Sequence, residues 1–291
     1  MTSPAYGPLL DSLRGVRWPA RRAVAGGLPG AHLSRRRGTA AEFSEYRPYR
    51  QGDDPRRLDW RLLARSDRAY VRIAEERSVL PTILVADATA SMDYPSDTGA
   101  KWMRAREIVV ALAAIAHASG DPVGLAVVSG DAVRRLPPRT RRGVVGEVAR
   151  ALGELTPRGS APLAPLLAGL PRGARVVVVS DFLGDDVAAL LLVARQRIAA
   201  GGEVHAVHVV DDAEMDPPGR AILATDPERA ALRRPLTDES RAAYVAAFDE
   251  WRDGLARDWR AGGATYSLVR TGEPAGAAVR RLVAPVEVAA R

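Results

Sequence analysis

Asp87, Thr89 and Ser91 occupy alternate positions of the segment Asp87-Ala88-Thr89-Ala90-Ser91, directly after the apolar run Thr82-Ile83-Leu84-Val85-Ala86. Alternation can bring one carboxylate and two hydroxyls to the same side of a turn. Hard oxygen donors of this kind suit Mg²⁺, which fills a near-octahedral shell and keeps several waters. So short a pattern arises often by chance, and on its own it selects no ion. Two further loops add weight. Asp181 follows the apolar run Val176 to Val179 and Ser180, and Ser160 ends the loop Thr156-Pro157-Arg158-Gly159-Ser160 ahead of a short helical stretch. In an open parallel sheet, ligands bind beyond the carboxyl ends of the strands. Asp87 and Asp181 both stand at such ends, so the candidate metal ligands are Asp87, Thr89, Ser91, Ser160 and Asp181.

The elements that must position these residues can be read from periodicity. After Pro81, short apolar runs alternate with amphipathic stretches, the pattern of βαβ units around a mostly parallel sheet. Strands are predicted over 82–86, 123–128, 175–180, 204–210 and 265–269, with 131–136 returning as an edge strand. Helices are predicted over 100–119, 141–155, 162–170, 185–200, 238–260 and 274–282, and 219–235 reads as a β-rich excursion. In the first of these helices Trp102, Ile108, Val109, Leu112, Ile115 and Ala116 share one face. Residues 1–80 are rich in Arg, Pro and Gly and read as an N-terminal arm with a small irregular subdomain, leaving 81–291 as the α/β domain. Within the arm, Arg35-Arg36-Arg37-Gly38 reads as a loop, 56–65 as a helix opened by Pro55, and 69–73 as a half-buried strand.

Composition narrows the chemistry. The 291 residues contain no cysteine, which removes disulfides and thiolate sites and leaves oxygen-ligand metal chemistry open. His205 and His208 are spaced to face opposite sides of a strand, so they read as strand residues and a zinc site is not expected. Asp211, Asp212 and Glu214 read as a solvated acidic loop before a second cation site. The formal charge is +7, and Lys101 is the only lysine among 42 basic residues. An arginine bias of this kind favours planar pairing with carboxylates over a phosphate-binding surface. No apolar run reaches the roughly 20 residues of a membrane-spanning helix. Arg14, Arg17, Arg21 and Arg22 interrupt any secretory leader, so a cytoplasmic location is expected. The three loops hold no histidine to activate a serine, and no G-x-S-x-G, G-x-x-x-x-G-K-[ST] or strand-following G-x-G-x-x-G occurs, so no enzyme activity is expected.

The set Asp87-x-Thr89-x-Ser91, a hydroxyl loop at Ser160 and Asp181 after a buried strand resembles the metal-ion-dependent adhesion site of von Willebrand factor A domains, over Pro81 to about Leu282. The resemblance implies a doubly wound, mostly parallel sheet. It also implies a Mg²⁺ ion, replaceable by Mn²⁺ or Ca²⁺, with Thr89, Ser91 and Ser160 as direct ligands, Asp87 and Asp181 acting through water, and an acidic residue of a partner completing the shell. Thr89 stands where that family has serine, Ser160 where it has threonine, and Ala161-Pro162 replaces an acidic residue. A second string, Arg37-Gly38-Thr39-Ala40-Ala41-Glu42-Phe43, then Arg47-Pro48-Tyr49, then Gly52-Asp53-Asp54-Pro55-Arg56-Arg57-Leu58-Asp59-Trp60 with Ala64-Arg65, is similar to the signature of the bacterial domain of unknown function 58 family. In that family the segment precedes an A-type domain, and many members are encoded beside MoxR-type AAA+ ATPases. The resemblance therefore implies a non-enzymatic protein-binding module, accessory to such an ATPase in protein assembly or activation. The alternative is a nucleic-acid or anionic-surface binder using the arginine-rich arm. The mixed charges of 47–65 read as pairing chiefly with one another.

Overall fold

A computed structural model describes residues 6–21, 29–33, 42–51, 53, 55, 58–66, 68–75, 77–130, 132–217, 222–225 and 233–284. The chain begins with α1 (Gly7–Ser12), β1 (Pro29–Leu33), β2 (Glu42–Pro48), α2 (Trp60–Ser66), β3 (Tyr70–Glu75) and β4 (Arg77–Ser78). Next come β5 (Thr82–Asp87), a single 3-10 turn (Ala90–Met92), α3 (Ala100–Ala118), β6 (Val123–Ser129), β7 (Ala132–Arg139), α4 (Val144–Gly153) and α5 (Leu163–Ala168). The rest comprises β8 (Arg175–Ser180), α6 (Val187–Ala199), β9 (Glu203–Val210), α7 (Asp212–Met215), β10 (Ile222–Thr225), β11 (Arg233–Leu236), α8 (Asp238–Ala261), β12 (Thr265–Arg270) and α9 (Ala275–Val283).

Two compact units result, one from Pro19–Leu80 and the other from Met1–Trp18 together with Pro81–Arg291. Residues from α1 to Trp18 join the larger unit because Tyr6, Leu13 and Trp18 are buried in the same apolar cluster as α3 and α9. The smaller unit holds two antiparallel pairs, β2 with β3 and β1 with β4. Its helix starts at Trp60 and not at 56, since Leu58 is extended in a bridge to Val71 and Asp59 caps the helix by accepting the Arg61 and Leu62 amides at 3.0 Å. Acid and arginine do pair inside this unit: Arg47 bonds Asp53 at 2.7 Å, and the Tyr46 hydroxyl donates to Asp59 at 2.8 Å. The loop 35–38 lies outside the described residues.

The larger unit is built on a six-stranded sheet of order β12-β9-β8-β5-β6-β7. Five strands are parallel and β7 returns antiparallel along the β6 edge. This is a doubly wound, mostly parallel α/β architecture, as the alternation after Pro81 leads one to expect. Strand alternation divides the core. Leu84, Ala86, Val177, Val179, Val207 and Val209 pack with α3, α4 and α9 on one face, whereas Ile83, Val85, Val176, Val178, Val204 and Ala206 pack with α5, α6 and α8 on the other. The central strands are buried on both faces, which explains their continuous β-branched sequence. β10 and β11 form a separate antiparallel pair. No helix among the described residues is long and apolar enough to cross a membrane.

Candidate functional site

Strand order reverses at β5, whose neighbours are β8 and β6, so the loops leaving their carboxyl ends flank one crevice. Backbone hydrogen bonds stitch these loops together. Ala88 donates to Val128 O at 2.9 Å, Arg158 donates to Ala88 O at 2.9 Å, and Ala90 donates to Gly159 O at 2.8 Å. Gly130 in turn donates to Arg158 O at 2.7 Å. Gly159 has φ +65°, and a β-carbon on it would stand 2.7 Å from the Gly130 α-carbon. The absence of a side chain on Gly159 permits this approach, and it sets the loop ending in Ser160 beside the one holding Thr89.

Asp87, Thr89 and Ser160 line a common open cavity of about 130 Å³, together with Ser180, Phe182 and the Asp185-Asp186 pair. Asp87 Oδ1 accepts the Thr89 amide at 2.9 Å, and Thr89 Oγ1 lies 3.2 Å from Ser91 Oγ. Ser91 is buried just behind the cavity wall and is not one of the lining residues. The Ser180 hydroxyl donates to Asp87 Oδ2 at 2.6 Å and accepts the Phe182 amide at 2.9 Å. Phe182 is left-handed at φ 54°, a strained conformation for a residue with a side chain, and it follows Asp181 directly.

Asp181 is buried, is likewise not one of the residues lining the cavity, and has a different neighbourhood. Its Oδ1 accepts the Leu183 amide at 3.2 Å, and its Oδ2 lies 2.6 Å from Lys101 Nζ. Lys101 is fully buried in the first turn of α3 and also bonds Glu214 on α7 at 2.8 Å. Asp211 is a capping residue whose side chain accepts the Ala213 amide, while Glu214 returns a bond to the Asp211 amide. The acidic stretch is therefore a helix cap and a lysine partner, in place of the solvated loop expected from sequence.

The charges at this rim are tightly balanced. Burial first, and then the nearby Asp181 carboxylate, push the Asp87 carboxyl up to about 6, against hydrogen bonds from Ser180 and Thr89. Burial alone would lower the Lys101 amine, but Asp181 and Glu214 together outweigh it and hold the amine charged. Asp87 and Asp181 are buried carboxylates, and Thr89, Ser160 and Ser180 line the cavity with Asp87 and without any basic side chain among the lining residues, a donor set that fits a hard divalent ion. No group of three or more His, Cys, Asp or Glu side chains among the described residues could hold a metal ion. A cation would therefore depend on hydroxyls and water as well as on the two aspartates.

Sequence reasoning missed Lys101 and Ser180 as members of this rim. A lysine beginning a helix opposes the helix dipole, and here it is the only lysine in the chain; together these were the available signal. His205 and His208 lie on opposite faces of β9, as their spacing required. His205 Nδ1 is 2.7 Å from Thr265 Oγ1 and its ring packs on Trp18, whereas His208 Nδ1 is 2.6 Å from the Tyr266 hydroxyl.

The family described as protein of unknown function DUF58 matches residues 45–253. Uncharacterized proteins of Mycobacterium tuberculosis and Mycobacterium bovis are each 32% identical over 277 residues, covering 90% of this chain and 85% of theirs. Among solved structures, the conserved hypothetical protein BatB from Bacteroides thetaiotaomicron aligns with 18% identity and a TM-score of 0.41, over 70% of this chain and 97% of that one. The SpRpn10 VWA domain aligns with 12% identity and a TM-score of 0.40, over 73% and 100%.

Proposed function

This chain belongs to the DUF58 family of proteins of unknown function, and we propose that it is a non-enzymatic, cytoplasmic protein-binding module that engages an acidic side chain of its partner through a divalent cation. Asp87, Thr89, Ser91, Ser160 and Asp181 would hold the ion, with Mg²⁺ preferred and Mn²⁺ or Ca²⁺ as substitutes. The ion would supply an open coordination position for a partner carboxylate. The observation that carries the reading is the stitched pair of loops, which brings Asp87, Thr89 and Ser160 from two chain segments onto one open cavity. The partner class is an AAA+ ATPase of the MoxR type, and the role is accessory to protein assembly or activation.

Titration calorimetry of the purified chain against a MoxR-type ATPase, with Mg²⁺ or with EDTA, tests this. Binding is expected to disappear with EDTA and with Asp87→Ala, and to depend only modestly on salt. Binding that survives both changes but falls steeply with salt would overturn the reading in favour of electrostatic attraction by the arginine-rich arm.

A further inference from the structure

Among 42 basic residues the chain uses lysine once, and that lysine is buried between the two carboxylates of Asp181 and Glu214 at the rim of the candidate cation site. An arginine fork spreads its charge over a plane and pairs side by side with carboxylates, whereas an ammonium is a compact point charge of the kind a small metal ion also presents. Lys101 Nζ lies 2.6 Å from Asp181 Oδ2, within the range of a charge-assisted hydrogen bond, and 5.7 Å from the centre of the Tyr94 ring. Asp181 therefore serves two cations on the Proposed function reading: the amine that the fold supplies and the ion that the solution supplies. Glu214 is the second seat for the amine and, like Asp181, is not among the residues lining the cavity.

We propose that Lys101 competes with the divalent ion for Asp181 and so sets the cation affinity of the site, while Glu214 is a positioning residue that retains the amine when Asp181 turns to the ion. The proposal rests on the cation reading above. It assigns Lys101 a role beyond structure, because a purely structural ion pair would leave cation affinity unmoved when both charges are removed together.

Three proteins decide it: the unaltered chain, Glu214→Gln, and the double variant Lys101→Met/Glu214→Gln, which removes one charge of each sign. Each is titrated with Mn²⁺ and with Mg²⁺ by calorimetry, and its thermal melt is followed with and without the ion. The double variant is expected to bind at least tenfold more tightly than the unaltered chain and to gain the larger melting shift. Glu214→Gln, in which the amine has Asp181 as its one charged partner, is expected to bind several-fold more weakly. A double variant that binds no more tightly than the unaltered chain overturns the competition. If the double variant does not fold, Glu214→Gln decides alone, and unchanged affinity there overturns the proposal. Absence of binding by all three removes the cation reading itself, and this inference with it.

Discussion

Two fully buried cations sit at opposite ends of the same sheet, and they differ in almost everything except charge. At the amino end, Arg175 opens β8, bonds Glu203 across the β8–β9 register at 3.1 Å, donates to the Trp18 carbonyl, stacks over the Trp18 ring at 4.2 Å and lies 3.9 Å from Asp121. At the carboxyl end, Lys101 contacts Asp181 and Glu214 beside an open cavity. The arginine cluster is enclosed by chain on every side named. The lysine cluster shares a carboxylate with loops that face solvent. Similar charge bookkeeping thus yields an anchor where connections are covered and an adjustable centre where strand ends open into loops.

The contrast is most severely tested by Arg175→Met, which leaves Glu203 and Asp121 without the guanidinium. We expect a loss of about 3–5 kcal/mol in urea unfolding, with Arg175→Lys intermediate because the ring stacking and the planar fork go while the charge stays. A loss below about 1 kcal/mol would deny the amino-end cluster its anchoring role.

Acidity should then separate the two ends by sign. Burial alone would raise Glu203, but hydrogen bonding to His205 and the Arg175 charge outweigh it and bring the carboxyl down to about 2. Its stabilising contribution is full above its ordinary value near 4.5 and is lost as pH falls toward 2, amounting to about 3 kcal/mol. Unfolding measured across that window should show an acid limb that Glu203→Gln flattens. Asp87 works in the opposite direction. Its carboxyl rises from 3.8 to about 6, so the folded chain binds the proton more tightly and loses stability as pH climbs through that range. In EDTA at pH 7, Asp87→Asn should therefore stabilise by about 2 kcal/mol, with the gain vanishing near pH 4. The same substitution should abolish divalent-ion binding, and a variant that is both no more stable and still ion-binding would sever Asp87 from the site.

The smallest expected effect concerns the scaffold. Gly159→Ala puts a side chain on a residue at φ +65° and against the Gly130 α-carbon. A stability loss of about 1–2 kcal/mol is expected, with cation affinity falling as the two loops part. Unchanged affinity would show that the glycine contact does not position Ser160.

How much of this was legible follows from which forces are local. The strands β5, β8 and β9 were readable because burial on both faces leaves uninterrupted apolar runs, and Asp87 and Asp181 were readable because they terminate two of them. Thr89 and Ser160 could be assigned to one edge of the sheet, but the direct contact of their loops could not be read, since the bonds that join them run from backbone to backbone and carry no side-chain signature. Lys101 meets Asp181 across 80 positions and Glu214 across 113, distances at which no sequence period operates. The start of α2 was misplaced because Pro55 offered a plausible first turn, while the actual cap is Asp59, fixed by the extension of Leu58 toward β3. The buried Trp259 on α8, packed against Phe182, also went unread, since the two meet across a sequence separation that no period spans.

The single lysine has a practical consequence for reagents. With Lys101 fully shielded, an acylating probe or an amine-directed crosslinker finds no side-chain target on the folded chain. Any label that does arrive at position 101 reports a molecule whose carboxyl-end rim had opened. Time-resolved amine labelling read by peptide mass spectrometry would thus clock that opening at one address, without a tag or an added fluorophore.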